Sequence, residues 1–329
     1  MVTCGRCKST TFISGDLAPF ATEECKKCGH PIMLPVMLRN FKLLTIIASG
    51  GMGTVYTAHD VKLEREVALK MVKREMAADP EIMQAFYREA RAGASLNHTN
   101  IIHIYSFDEF EGQPYLVMEL ADQGSLDNRI EIEAERRSTV AELDVLDVGI
   151  KMASALAAAL KHNLLHRDIK PGNILYNHEG EPKLIDFGLV RAAEASNTYE
   201  EHVYGTVYYV APEKIERKGE DFHSDMYSLG ATLYHALTGH TPFEAPTPEE
   251  IVAAHVHTPL TPPHFVVPAI TDLTSAALIR AMAKNPADRF ATYEDMQMEL
   301  EAARSRLLVQ QVREAGHSPG AKSWWRKKK

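Results

Sequence analysis

Residues 166–173 read His166-Arg167-Asp168-Ile169-Lys170-Pro171-Gly172-Asn173 and put a carboxylate, an amine and an amide close together in the chain. A carboxylate beside a cation can accept a proton while neighbouring charge is neutralised. Further on, Leu184-Ile185-Asp186-Phe187-Gly188 sets a second carboxylate at the end of a short apolar run. An amide oxygen and a carboxylate carried by a hairpin suit a hard cation such as Mg²⁺, which prefers oxygen ligands.

A second group lies upstream. Ala48-Ser49-Gly50-Gly51-Met52-Gly53-Thr54-Val55 joins two apolar runs. Glycines there let backbone N–H groups approach phosphate oxygens, although such a stretch alone also reads as an ordinary hairpin turn. Val67-Ala68-Leu69-Lys70 follows, an apolar run ending in a lysine. Glu89 on the next helical stripe offers that lysine a partner; otherwise it is a surface lysine on an edge strand.

A third group is Cys4-x2-Cys7 with Cys25-x2-Cys28, the spacing of a zinc ribbon. Gly5 and Gly29 suit the tight knuckles, and so short a module lacks the core to fold without a metal. Two disulfides or four free thiols are the other readings. Neither a signal-peptide core nor an apolar run of about 18–20 residues occurs, so a cytoplasmic, reducing setting is expected, which disfavours disulfides. His30 adjoins the cysteines and reads as a bystander.

The elements that must carry these groups change character along the chain. Apolar residues form short strand-like runs at Phe41–Ile47, Val67–Val72, Ile101–Phe107 and Tyr115–Leu120. One helical stripe interrupts them, Ile82, Phe86, Glu89, Gly93 and Leu96, with Gly93 a weak helix former. Beyond Ser125 the period becomes helical, through Leu143, Leu146, Ile150, Ala153, Ala157 and Leu160, then Met226, Leu229, Leu233 and Leu237. Strands followed by helices predict an α+β fold in two lobes. Charge excludes a general nucleic-acid binder: 36 Lys and Arg against 44 Asp and Glu leave −8, with 45% hydrophobic and 24% charged residues as in ordinary globular proteins.

The ordered set of glycine loop, strand lysine, His-Arg-Asp loop and Asp-Phe-Gly, completed by Ala211-Pro212-Glu213, resembles the eukaryotic-like (Hanks-type) Ser/Thr protein kinases found widely in bacteria. The resemblance runs from about Phe41 to Leu300. It implies a bilobal protein-kinase fold, with a β-rich N-lobe and a helical C-lobe, preceded here by a small zinc ribbon. It implies transfer of the γ-phosphoryl group of ATP to protein hydroxyls, with Mg²⁺ or Mn²⁺. Asp168 matches the aspartate that orients the acceptor hydroxyl, and Asn173 and Asp186 match the two Mg²⁺ ligands. Lys70 matches the lysine on the α/β-phosphates, held by Glu89, and Lys170 resembles the γ-phosphate lysine of Ser/Thr-specific members. Val55, Ala68 and Leu175 resemble the residues sandwiching adenine, Glu119 and Ala121 the hinge, and Met118 the gatekeeper. Glu213 and Arg289 resemble a structural ion pair, and Asp225 the acid that braces the catalytic loop.

One position departs from the pattern: Ala48 stands where the family has its first loop glycine. Its methyl costs little at negative φ and about 1 kcal/mol or more at positive φ. Ala48 is the one motif residue that speaks for an alternative, a nucleotide-binding scaffold with slow or absent phosphotransfer and a partner-docking ribbon. In the activation segment Thr198, then Ser196, are the expected phosphosites, with pairing to Arg167; Glu200 or Glu201 could supply that charge instead. Thr206 reads as structural. The ribbon is expected to dock protein or to sense, and nucleic acid is not an expected partner. Trp324-Trp325-Arg326-Lys327-Lys328-Lys329 reads either as a solvated basic tail or as a peripheral contact for anionic lipid. The expected divisions are ribbon 1–33, linker 34–40, kinase domain 41–304 and polar tail 305–329; physiological substrate and oligomeric state stay open.

Overall fold

The computed structural model describes residues 1–13, 17–18, 20–50, 53–187 and 207–316. Gly51, Met52, the expected phosphosites Ser196 and Thr198, Glu200, Glu201, Thr206 and the Trp324–Lys329 tail lie outside the described residues. The chain divides into two compact units, Met1–Gln123 with Tyr176–Asn197, and Gly124–Leu175 with Thr198–Lys329.

In the first unit, strands β1 (Val2–Thr3) and β2 (Thr10–Thr11) pair antiparallel, as do β3 (Glu23–Glu24) and β4 (Pro31–Ile32). They enclose a miniature core of Val2, Cys4, Ile13, Cys25 and Ile32. Next come β5 (Val36–Leu38), β6 (Phe41–Ser49), β7 (Gly53–Asp60) and β8 (Arg65–Val72), then helices α1 (Arg74–Ala77) and α2 (Pro80–Ser95). Strands β9 (Ile104–Phe110) and β10 (Gln113–Met118) complete a six-stranded sheet in the order β5-β6-β7-β8-β10-β9. The expected linker is therefore partly a strand, because Val36-Met37-Leu38 pairs with Leu43-Lys42-Phe41 and buries Leu38. Met33 and Phe20 also pack into the sheet core with Leu43, Ile46, Tyr56 and Leu69, so the cysteine module shares its unit with the sheet.

The stripe from Ile82 is helical as far as Ser95, with Leu96 as an extended C-cap. Asp79 caps α2 by accepting from the Glu81 and Ile82 N–H groups, with Pro80 at the first turn. Gly93 has a packing reason: a Cβ there would lie 2.4 Å from Ile104 Cδ1 on β9.

In the second unit Ser125 and Asn128 form a reciprocal capping box that starts α3 (Leu126–Glu135), and α4 (Glu142–Leu160) is the long amphipathic helix. Strands β11 (Ile174–Tyr176) and β12 (Pro182–Leu184) lie at the junction of the two units in sequence. Then follow α5 (Pro212–Ile215), α6 (Phe222–Thr238), α7 (Pro248–His257), α8 (Pro263–Val266), α9 (Asp272–Ala281) and α10 (Tyr293–Gly316). Gly149 lets α4 sit tightly on its neighbours, since a Cβ would meet Leu233 at 2.8 Å and Leu300 at 3.0 Å. Gly239, at φ 72°, ends α6 with its N–H on the His235 carbonyl. The polar tail expected from Ser305 begins as helix: α10 runs on to Gly316, with Ala303 and Leu307 buried on its inner face.

Candidate active site

The catalytic loop follows α4 in the second unit, and its backbone is tied down before its side chains are placed. Arg167 sits at φ 68°, a left-handed conformation costly for a non-glycine residue. Asp225, on the first turn of α6 and fully buried, accepts from the His166 N–H at 2.7 Å and the Arg167 N–H at 2.6 Å. Burial pushes the Asp225 carboxyl up, against His166 and these two N–H groups, which pull down. The expectation of a buried, partnered Asp225 is met by backbone donors.

On this frame Asp168, Lys170 and Asn173 converge. Lys170 Nζ is 2.9 Å from Asp168 Oδ2, and Asn173 Nδ2 donates to the same oxygen at 3.0 Å and to the Asp168 carbonyl at 2.7 Å. Asn173 closes a 3₁₀ turn begun by Pro171. Burial raises the Asp168 carboxyl, but the Lys170 ammonium, His166 and the Asn173 amide outweigh it and hold it below the usual carboxylate range. Leu175 follows in β11, bridged to Ser125.

Below the loop, Arg289 donates to Glu213 in a fork, 2.7 Å and 2.8 Å to the two carboxylate oxygens, while Ser224 Oγ adds a third bond at 2.7 Å. Arg289 Nη1 also donates to the His223 carbonyl. The pair predicted from sequence is formed and buried, and Arg289 with Ser224 keeps the Glu213 carboxyl low against the opposing effect of burial.

The first unit holds the other set. Lys70 Nζ on β8 lies 2.8 Å from Asp186 Oδ1, and Asp186 takes φ 60°. Lys70 thus has Asp186 as an ion-pair partner; the Glu89 side chain, expected from sequence to hold Lys70, lies on α2 outside the described side chains. Val55 faces both Ala48 and Lys70 across the ladder, and Ala68 pairs with Thr57 and Met118. Glu119 and Ala121 follow β10, with Ala121 buried. The Glu119 N–H donates to the His103 carbonyl, and its carboxylate, beyond the expected backbone role, pairs with Lys183 at 2.6 Å. That pair went unseen because nothing in the spacing joins residues so far apart.

In the glycine loop, the Gly50 N–H donates to the Gly53 carbonyl at 3.0 Å, and Ser49 Oγ lies 3.2 Å from Thr54 Oγ1. Gly53 is required sterically, since a Cβ would sit 2.4 Å from the Met71 carbonyl oxygen. Ala48 is a strand residue opposite Val55 and is absent from the described non-glycine residues with positive φ. Its methyl therefore carries little strain, which removes the physical basis of the scaffold alternative.

At the N-terminus all four cysteine sulfurs lie within 4.8 Å of one another, the one such cluster of potential ligands among the described residues. Cys4 Sγ–Cys28 Sγ and Cys7 Sγ–Cys25 Sγ are each 3.7 Å, close to the edge of about 3.8 Å of a tetrahedron with Zn–S bonds of about 2.3 Å. The Lys27 N–H and the Ser9 hydroxyl hold the Cys25 thiol down to about 5. At Cys28 the His30 N–H pulls down, but burial and the other sulfurs push the thiol up to about 11. Four crowded sulfurs that resist joint ionisation are a donor set that a soft-tolerant dication satisfies.

Among the described residues no helix is long and apolar enough to cross a membrane. The sequence matches the protein kinase domain family over residues 41–299. It is 38% identical over 268 residues to the serine/threonine-protein kinase PknL of Mycobacterium tuberculosis, covering 81% of this chain and 66% of that protein. It is 34% identical over 264 residues to the serine/threonine-protein kinase PrkC of Bacillus subtilis, covering 80% of this chain and 40% of that protein. The chain thus spans less than two thirds of the length of these relatives. Among solved structures, the kinase domain of Mycobacterium tuberculosis PknI superposes with a TM-score of 0.61 at 26% identity, over 82% of this chain and 98% of that one. With its motif residues in these positions and the match spanning most of its length, the chain belongs to the protein kinase domain family.

Proposed function

We propose that the chain transfers the γ-phosphoryl group of ATP to serine or threonine hydroxyls of proteins. The observation that carries this reading is the Asp168 carboxylate, kept ionised by Lys170 and Asn173 on a loop fixed by Asp225. Asp168 orients the acceptor hydroxyl and takes its proton. Lys170, an ammonium on the same carboxylate, offsets charge on the transferring group. Asn173 donates through Nδ2, which leaves its amide oxygen as a cation ligand in the second unit, and Asp186 offers a carboxylate oxygen as a cation ligand in the first. Mg²⁺ bound there supplies charge neutralisation at the phosphates. Lys70, already paired with Asp186, holds the α/β-phosphates.

The four cysteines bind Zn²⁺ as a structural ion, which the tetrahedral spacing of their sulfurs supports. Protein substrates follow from the family, and a cytoplasmic setting accords with cysteines spaced for a metal and not for disulfides. The test is intact-mass analysis of phosphatase-treated protein after incubation with Mg²⁺ and ATP, beside Asp168→Asn. Stepwise gain of phosphate by the wild type alone supports the reading. No gain by protein that binds ATP and is offered generic Ser/Thr substrates overturns it.

A further inference from the structure

Both cysteine knuckles reach one atom of the kinase sheet, the Ile46 carbonyl oxygen. His30, two residues beyond Cys28, donates from Nε2 to the Ile46 carbonyl at 2.8 Å. From the other knuckle, Gly5, between Cys4 and Cys7, presses so close that a Cβ would lie 2.4 Å from the same oxygen and 3.5 Å from His30 Nε2. Two segments far apart in sequence thus converge on one backbone acceptor.

The position of that acceptor matters. The β6–β7 ladder pairs Ile46 with Tyr56 and Ala48 with Val55, and its register shifts between Ile46 and Ala48. Ile47 is the extra residue of a bulge, a place where a strand changes direction and where one ladder bond is missing. The next residues, Ala48 and Ser49, pair with Val55 and Thr54, and the Gly50 N–H then donates to the Gly53 carbonyl. The ribbon therefore holds β6 at the last irregular point before the phosphate loop.

The metal site ties this grip together. The close sulfur pairs, Cys4 with Cys28 and Cys7 with Cys25, each join one knuckle to the other. One ion bound by all four would fix Gly5 and His30 around the Ile46 carbonyl. Without it, nothing covalent or coordinate joins the two knuckles, and their hold on the bulge rests on packing and hydrogen bonds alone.

We propose that the ribbon is a zinc-dependent clamp on the Ile46 carbonyl, through which metal occupancy sets the order of β6 at residues 46–50 and, from there, the affinity for nucleotide. This rests on reading the cysteines as a zinc site and residues 48–53 as the phosphate loop. Linkage makes the effect mutual: nucleotide must tighten zinc by the factor with which zinc tightens nucleotide.

The experiment uses the full chain, zinc-loaded or stripped with a chelator that is then removed, with zinc content measured in each state. Backbone hydrogen exchange and the affinity of a fluorescent ATP analogue with Mg²⁺ are the readouts. Stripping should speed exchange in peptides covering residues 45–50 about tenfold and weaken the analogue about fivefold, both restored by Zn²⁺, with β9 and β10 unchanged. His30→Ala keeps all four cysteines; it should retain one zinc per chain, bind the analogue as weakly as stripped wild type, and lose its response to zinc. Gly5→Ala, acting from the opposite knuckle, should shift both readouts in the same direction. Zinc that binds and leaves without moving exchange or affinity beyond twofold overturns the clamp while sparing the metal site. Failure to retain zinc under any loading overturns the metal site, and the clamp with it.

Discussion

The catalytic loop and the N-terminal knuckles both crowd polar ligands into a small space, yet they are held in opposite ways. In the loop every central group has a partner within the chain: Asp225 on two N–H groups, Lys170 and Asn173 on Asp168, Arg289 on Glu213. In the knuckles the ligand sulfurs face chiefly one another, with Ser9 as the neighbouring hydroxyl. A network closed by its own hydrogen bonds is preorganised before substrate arrives. A cluster of crowded sulfurs on two backbone knuckles has a shared cation as its natural link. The first arrangement suits chemistry that must repeat without delay, the second a property that varies with conditions.

The largest expected effect separates chemistry from architecture inside the loop. Asp168→Asn should lower phosphoryl transfer about 10³-fold, since the proton acceptor is gone, while nucleotide affinity stays within about twofold. Because the loop is braced by Asp225 and not by Asp168, the unfolding midpoint should barely move; a large drop would mean that the reacting carboxylate also carries the fold. The pH dependence has a definite sign. The folded Asp168 carboxyl lies below its ordinary value, so its contribution is present at neutral pH and fades as pH falls below the carboxylate range. Activity attributable to this group should therefore be flat from pH 6 to 8.

Next in size is the brace itself. Asp225→Ala leaves the His166 and Arg167 N–H groups without their acceptor in a buried site and releases Arg167 from φ 68°. A cost of about 3 kcal/mol is expected in urea unfolding, with activity falling in parallel. Asp225→Asn should recover only part, because an amide offers one accepting oxygen where the loop needs two. Equal stability of Asp225→Ala and wild type would contradict the idea that the loop is closed by its own bonds.

How much of this was legible depended on distance along the chain. Asp168, Lys170 and Asn173 lie within six residues of one another, so their spacing nearly states their geometry, and the strand and helix periods located β6, β8, α2 and α4 to within a few residues. What escaped was settled by packing between remote segments. Val36-Met37-Leu38 looked like a linker because so short a run has no period, although its buried–exposed alternation suits an edge strand. Gly93 looked like a helix defect until Ile104 appeared against it. His30 reads from sequence as a bystander to the cysteines, and its bond to Ile46 depends on a fold-level contact that no local motif encodes.

On the knuckle side, removing zinc should make all four cysteines react with a thiol reagent, where the loaded protein reacts at least tenfold more slowly. The main unfolding transition, dominated by the large cores of the two units, should shift by only a few degrees. A transition that collapses with the metal would show that the ribbon is a structural keystone, and would erase the contrast drawn above.

The smallest expected effect falls at Ala48, between the clamp and the phosphate loop. The residue lies in β6 opposite Val55 and outside the positive-φ set, so glycine is not required by its backbone conformation. Ala48→Gly removes one exposed methyl and adds backbone freedom to a strand, a cost of about 0.5–1 kcal/mol. The KM for ATP should stay within about twofold. Gly53→Ala is the matched contrast, because its methyl would meet the Met71 carbonyl, an atom held in the β7–β8 ladder; about 1–3 kcal/mol should be lost there and ATP binding weakened with it. If Ala48→Gly instead raised ATP affinity several-fold, the alanine would be a brake on the loop, and the local stiffness of β6 beyond the bulge would rival the knuckles as the element that sets nucleotide affinity.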